Sequence, residues 1–170
     1  MNKLSLIFTL VLSFALFSCS NTKGSQENNN IVVSDENNEN DKESKDDEIH
    51  PEYLTYDTFL EKVWDFENNP QEWVYKGDTP CVIDFYADWC KPCRMVAPIM
   101  DELSKDYDGK VKIYKIDVDK EKKLASVFQV RSIPSVLFIP KTGKPEMNTG
   151  ALPKDSYIEI IETKLLKENN

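Results

Sequence analysis

At 170 residues the chain is long enough for one self-standing core and too short for two. Hydrophobic residues make up 40% of it and the net charge is −9, unevenly spread: residues 20–50 hold nine acids against three lysines, while residues 51–170 carry −4. No basic stripe exists to neutralise phosphates, so nucleic-acid binding is excluded as a function class.

Residues 1–18 read as a secretory signal peptide. Lys3 supplies the positive start, and Leu4 to Phe17 form an apolar run broken only by Ser5, Thr9 and Ser13. That run is shorter than the roughly 20 apolar residues a membrane span needs, so a removed leader fits better than a transmembrane anchor. The end of the run, Leu16-Phe17-Ser18-Cys19, resembles a bacterial lipoprotein signal, with small Ser18 before the cysteine that becomes the lipidated first residue. Acylated Cys19 would hold the protein to a membrane. Residues 19–50 then form an Asn-, Glu-, Asp- and Ser-rich stretch whose one apolar cluster is Ile31-Val32-Val33. It cannot bury enough surface to offset its ordering entropy, and it reads as a disordered acidic tether.

Residues 51–170 form the folded domain. Thr55 to Asp65 predicts a helix with Phe59, Leu60 and Val63 on one side, stopped by Asn68-Asn69-Pro70, and Trp73-Val74-Tyr75 suggests a short strand. Cys81 to Ala87 is the apolar, β-prone run of a buried strand. Lys91 to Tyr107 has helical apolar spacing with Pro98 inside it. A strand over 111–117, a helix over 120–128, a strand over 135–139, an edge strand over 144–149 and a helix over 154–167 complete the pattern. Alternation of strands and helices followed by a hairpin implies an α/β domain with a mixed central β-sheet and helices on both faces.

Chemistry centres on Cys90-Lys91-Pro92-Cys93, placed between a buried strand and a helix. At a helix N-terminus, free N–H groups and the macrodipole favour an anion, which raises the thiolate fraction of the first cysteine. Two residues later the chain has turned enough to bring a second sulfur within disulfide reach. A structural zinc site needs four ligands, and only Cys19, Cys81 and His50 remain to supply them, with no second pair. Neither a metal nor a cofactor is called for. Asp84 sits among Val82, Ile83 and Phe85, where a charge is costly unless partnered or shifted in pKa; a raised pKa suits a proton acceptor. Cys81 reads as a small buried hydrophobe.

The block Asp84-Phe85-Tyr86-Ala87-Asp88-Trp89-Cys90-Lys91-Pro92-Cys93, with Ala97-Pro98 after it, resembles the active-site segment of the thioredoxin family. Lys115-Ile116-Asp117-Val118-Asp119 is similar to that family's middle strand, Arg131-Ser132-Ile133-Pro134-Ser135 to its cis-proline loop, and Thr149-Gly150-Ala151-Leu152 to its later glycine loop. The resemblance implies a thioredoxin fold. It also implies roles: Cys90 as attacking nucleophile, Cys93 as resolving thiol, Asp84 as the buried carboxylate helping Cys93 lose its proton, Lys115 as its neighbour, and Pro134 as a cis-proline facing the sulfurs. Trp89, Ile133 and Gly150 would line the substrate groove.

Two departures stand out: Lys91 replaces a glycine usual in the family, and the stretch from Asp65 to Thr79 is longer than a minimal member has. In that stretch Trp73 and Tyr75 read either as core or as a docking surface. The expected activity is reduction of disulfides in client proteins outside the cytoplasm, by a monomer re-reduced by a membrane thiol electron donor. An oxidase or isomerase using the same residues is the competing reading, favoured by Lys91 and the leader, whereas Pro92 and Ile133 favour the reductase. A redox-inert binding module fits poorly with both cysteines and Asp84 intact. So does a reductase for cytochrome c maturation, because Asp117 to Phe128 leaves no room for the extra insertion such proteins carry.

Overall fold

The computed structural model describes residues 49–167. The signal peptide, Cys19, the tether before residue 49 and residues 168–170 lie outside the described residues. Five strands form one mixed sheet in the order β1-β3-β2-β4-β5. Strand β2 (Cys81–Tyr86) runs parallel to β3 (Lys112–Asp117) and antiparallel to β4 (Ser135–Ile139). At one edge β1 (Glu52–Tyr53) pairs parallel with β3; at the other β5 (Glu146–Thr149) pairs antiparallel with β4.

The pleat sorts β2 residues onto opposite faces. Val82 joins Val96, Met100, Leu103, Phe138, Tyr157 and Ile161 in a core under α2 (Cys93–Asp106) and the C-terminal helix α4 (Lys154–Ile160). Ile83 and Phe85 join Phe59, Leu124, Leu137 and Ile139 under α1 (Tyr56–Lys62) and α3 (Lys122–Val127). Both faces are therefore covered, as an apolar central strand requires. Asp84 shares the face of Val82, toward α2.

Local chemistry sets several boundaries. Thr55 and Thr58 cap α1 reciprocally: the Thr55 hydroxyl accepts from the Thr58 N–H at 3.3 Å and the Thr58 hydroxyl accepts from the Thr55 N–H at 2.8 Å. The helix stops at Lys62, three residues before the predicted end. α2 starts at Cys93 rather than Lys91, because Lys91 and Pro92 form the turn that leads into it. The last helix passes into a π-helical turn over Ile161–Leu165.

One expectation needs correction. Trp73 to Tyr75 form no strand. The edge of β3 is paired by β1, a pairing of two residues that no sequence period announces. Their rings pack instead: Trp73 lies 5.0 Å from Trp64 and 6.5 Å from Phe128, centroid to centroid, within the α1/α3 core. Of the two readings of this longer stretch, core packing is the one seen. The Tyr75 hydroxyl donates to the Thr79 carbonyl at 2.6 Å, and its ring packs in the same cluster as the thiol of fully buried Cys81. Burial pushes that thiol's pKa up to about 12, so it stays protonated. The Tyr75 ring fills the space above Gly77, where any Cβ would collide with the phenol.

Candidate active site

The loop between β2 and α2 carries Trp89, Cys90, Lys91 and Pro92. Cys90 and Cys93 form a disulfide with Cα atoms 5.3 Å apart. Cys93 is the first residue of α2, and its N–H donates to the Cys90 Sγ at 3.2 Å. An amide of the first helical turn has no carbonyl partner within the helix. Here it meets sulfur, the arrangement that favours a thiolate at Cys90 once the disulfide opens. Both cysteines are 3% exposed, packed with Ala87 and against Tyr86, Val118 and Ile133.

Ile133 comes from the loop before β4, and the Ile133–Pro134 peptide is cis. The Pro134 carbonyl accepts from the Gly150 N–H at 2.8 Å, tying the loop after β5 to the loop before β4. Gly150 has φ of 97°, a conformation a side chain would strain. Trp89 is 66% exposed, and its indole N–H donates to Asp119 at 2.8 Å. A groove of about 370 Å³ opens beside it, lined by Trp89, Val118, Val130, Arg131, Ser132 and Ile133.

Asp84, on the strand that leads into the Cys90 loop, is fully buried, with neither carboxylate oxygen hydrogen-bonded. Lys115 is its register partner on β3. The Lys115 ammonium sits over the Tyr86 ring at 4.8 Å and near the Tyr53 ring at 5.8 Å. Burial drives the Asp84 pKa up from 3.8 to about 6, and the Lys115 charge pulls it back only in part. A separate recess of about 190 Å³, lined by Tyr53, Tyr86, Asp88, Arg94 and Lys115 among others, reaches as far as the buried Cys93.

The predicted site residues thus fall into three groups. Cys90, Cys93 and Ile133 pack together, with Pro134 following Ile133 and bonded to Gly150; Trp89 forms the rim; Asp84 and Lys115 form a polar pair across β2 and β3. Sequence reasoning missed Asp119, which holds the indole, and Val118, Val130, Arg131 and Ser132, which complete the groove. It also missed the tyrosines flanking Lys115. Asp119 lay within a quoted motif, but nothing in the motif shows its bond to a residue 30 positions away.

A dithiol–disulfide couple at the start of a helix, beside a cis-proline loop on a five-stranded mixed sheet, defines a thiol–disulfide exchange protein. The sequence model of the thioredoxin family matches residues 62–163. The thioredoxin of Borreliella burgdorferi is 46% identical over 109 residues, spanning 64% of this chain and 92% of its own. Thioredoxin 1 of Nostoc sp. is 40% identical over 92 residues, spanning 54% of this chain and 86% of its own. Among solved structures, chloroplastic thioredoxin z is similar with a TM-score of 0.54 at 27% identity, covering 67% of this chain and 93% of that one. The chain belongs to the thioredoxin family and is a protein-disulfide oxidoreductase. Thioredoxins act on client proteins that contain disulfides.

Proposed function

We propose that this oxidoreductase works in the reducing direction, outside the cytoplasm, tethered to a membrane through Cys19. The observation that carries the direction of attack is the Cys93 N–H aimed at the Cys90 sulfur, which supports reading Cys90 as the attacking thiolate. That thiolate attacks a client disulfide, forming a mixed disulfide and releasing one client thiolate. Cys93 passes its proton to Asp84 and attacks the Cys90 sulfur, releasing the second client thiol. The protein is left with the Cys90–Cys93 disulfide, having given up two electrons, and a membrane thiol donor restores the dithiol. Trp89, Ile133 and Gly150 hold the client segment. The location rests on the leader-like residues 1–18, on Ser18-Cys19 and on the acidic stretch that follows.

Two measurements test the proposal. Wild type should partition with membranes and Cys19→Ala should become soluble; equal partitioning sinks the anchor. The reduction potential of the Cys90–Cys93 couple decides direction. A value near the thioredoxin figure of about −270 mV supports a reductase, and one near about −120 mV, typical of a strong bacterial disulfide oxidant, overturns it. Lys91 is the residue that favours the second outcome, because a cation beside Cys90 stabilises the reduced, thiolate form.

A further inference from the structure

The groove beside the disulfide does not end at Arg131. A second cavity of about 510 Å³ shares its Val118, Val130 and Arg131 walls and continues past Lys122, Ser126 and Gln129. The two make one trench running from Trp89 to the exposed side of α3. Its floor is shaped by the way the chain leaves that helix. Val130 N–H bonds back to the Ala125 carbonyl at 2.8 Å and Gln129 N–H to Ser126 at 3.0 Å, with Gln129 at φ of 52°. Glycine adopts that conformation at less cost, so the trench keeps a long amide side chain where the backbone would prefer none.

The charge of the trench opposes that of the protein around it. Its lining holds two cations, Lys122 and Arg131, and no carboxylate. Neither cation has a hydrogen bond or ion pair among the described residues. The acids nearest in sequence do not line it: Asp117 pairs with Lys120 at 3.2 Å, while Asp119 and Glu121 keep their charges but accept from the Trp89 indole and, at 3.0 Å, from the Tyr56 N–H. An acidic protein has thus left two unpaired cations along a trench that starts at Trp89 and shares its Val118 and Ile133 walls with the packing around the reactive disulfide. Complementary charge at such a surface selects partners more than it adds affinity.

We infer that the trench selects client segments carrying acidic residues beside the reactive cysteine, with Lys122 and Arg131 reading their carboxylates. The inference rests on Cys90 being the attacking thiol. Because the protein as a whole is acidic, the preference arises at contact and not by long-range steering, so it shows in the bound segment rather than in the client's net charge.

Three disulfide peptides that differ only in the residues flanking one cysteine, Glu, Gln or Lys, provide the test. Each is offered to the reduced full-length chain, and second-order reduction rates are compared at low salt and in 0.5 M NaCl, a concentration of roughly a 4 Å screening length. The expected order is Glu over Gln over Lys, about two- to fivefold per step as exposed ion pairs allow, narrowing in high salt. In the double variant Lys122→Gln, Arg131→Gln the Glu-to-Gln ratio should fall to one, and in Lys122→Glu, Arg131→Glu the order should invert. Equal rates for all three peptides, or a Glu preference that survives both double variants, overturn the inference. No reduction of any peptide overturns the Cys90 reading instead.

Discussion

Asp84 and Lys115 stand side by side across the β2–β3 ladder, yet the carboxylate accepts no hydrogen bond. The lysine is drawn instead toward the faces of Tyr86 and Tyr53. A carboxylate left this way is expensive to ionise, which suits a group that must take up a proton and destabilises the fold that holds it.

Asp84→Asn should therefore stabilise the protein at neutral pH. A folded pKa raised from 3.8 to about 6 means the native state binds the proton more tightly than the unfolded chain does. Native stability is then greatest below about pH 4 and falls as pH rises through 6. That loss has a ceiling on the order of 3 kcal/mol, at 1.36 kcal/mol per pKa unit. Urea unfolding should show a gain of about 1–3 kcal/mol for the variant at pH 7.5 and almost none near pH 4. A loss at pH 7.5 would identify Asp84 as a structural partner.

The same variant should slow resolution. In the proposed mechanism Cys93 then lacks its proton acceptor, while attack by Cys90, favoured by the helix end, does not depend on Asp84. Stopped-flow decay of a Cys90 mixed disulfide should slow by about ten- to a hundredfold, at or below the low end of general-base effects. An unchanged rate at pH 7 removes Asp84 from the mechanism.

Lys115→Met removes the charge that lowers the Asp84 pKa. The carboxyl should titrate above 6, and the pH profile of mixed-disulfide resolution should move to higher pH with it. Carbon-13 NMR of the Asp84 carboxyl follows this directly; a midpoint that stays put or moves down contradicts the pairing.

Cys93→Ser should trap clients as mixed disulfides, because attack proceeds without resolution, and Cys90→Ser should trap none. Non-reducing gels of each variant after incubation with oxidised insulin read the difference. Trapping by Cys90→Ser alone reverses the assignment.

Asp119→Ala frees the Trp89 indole without touching the core. Since Trp89 is 66% exposed, the stability cost should stay within about 1 kcal/mol. The rate of insulin reduction should fall by about two- to tenfold, because the rim of the groove is no longer held in place. A large loss of stability with normal turnover of the remaining folded protein would make the bond purely structural.

Much of this arrangement is legible in the residues. β2 and β4 announce themselves as short, β-branched apolar runs, and the Cys90 to Cys93 turn stands where strand gives way to helix. β1 could not be read: two residues have no periodicity, and Glu52–Tyr53 become a strand only because β3 offers an open edge. Trp73 and Tyr75 misled because aromatic side chains serve a core as well as a strand, and here their rings pack against the α1/α3 core. Asp119 and the Lys115 tyrosines belong to contacts between distant positions. That Arg131 and Lys122 are unpaired is likewise visible only once every neighbouring acid has been located.

Gly77 bears on a different hazard. A protein whose work is thiol exchange carries a further thiol, Cys81, in the strand that leads to its reactive pair, and side reactions there would scramble its own sulfurs. Burial in the α1/α3 core keeps Cys81 silent, and the Tyr75 ring, one of the side chains packed there, lies where only a bare α-carbon at residue 77 leaves it room. A methyl group at Gly77 would force the Tyr75 phenol, which donates to the Thr79 carbonyl, to shift and would loosen the packing beside the thiol. Maleimide labelling of Gly77→Ala should therefore reach Cys81 in the folded protein at a rate that wild type shows only after unfolding.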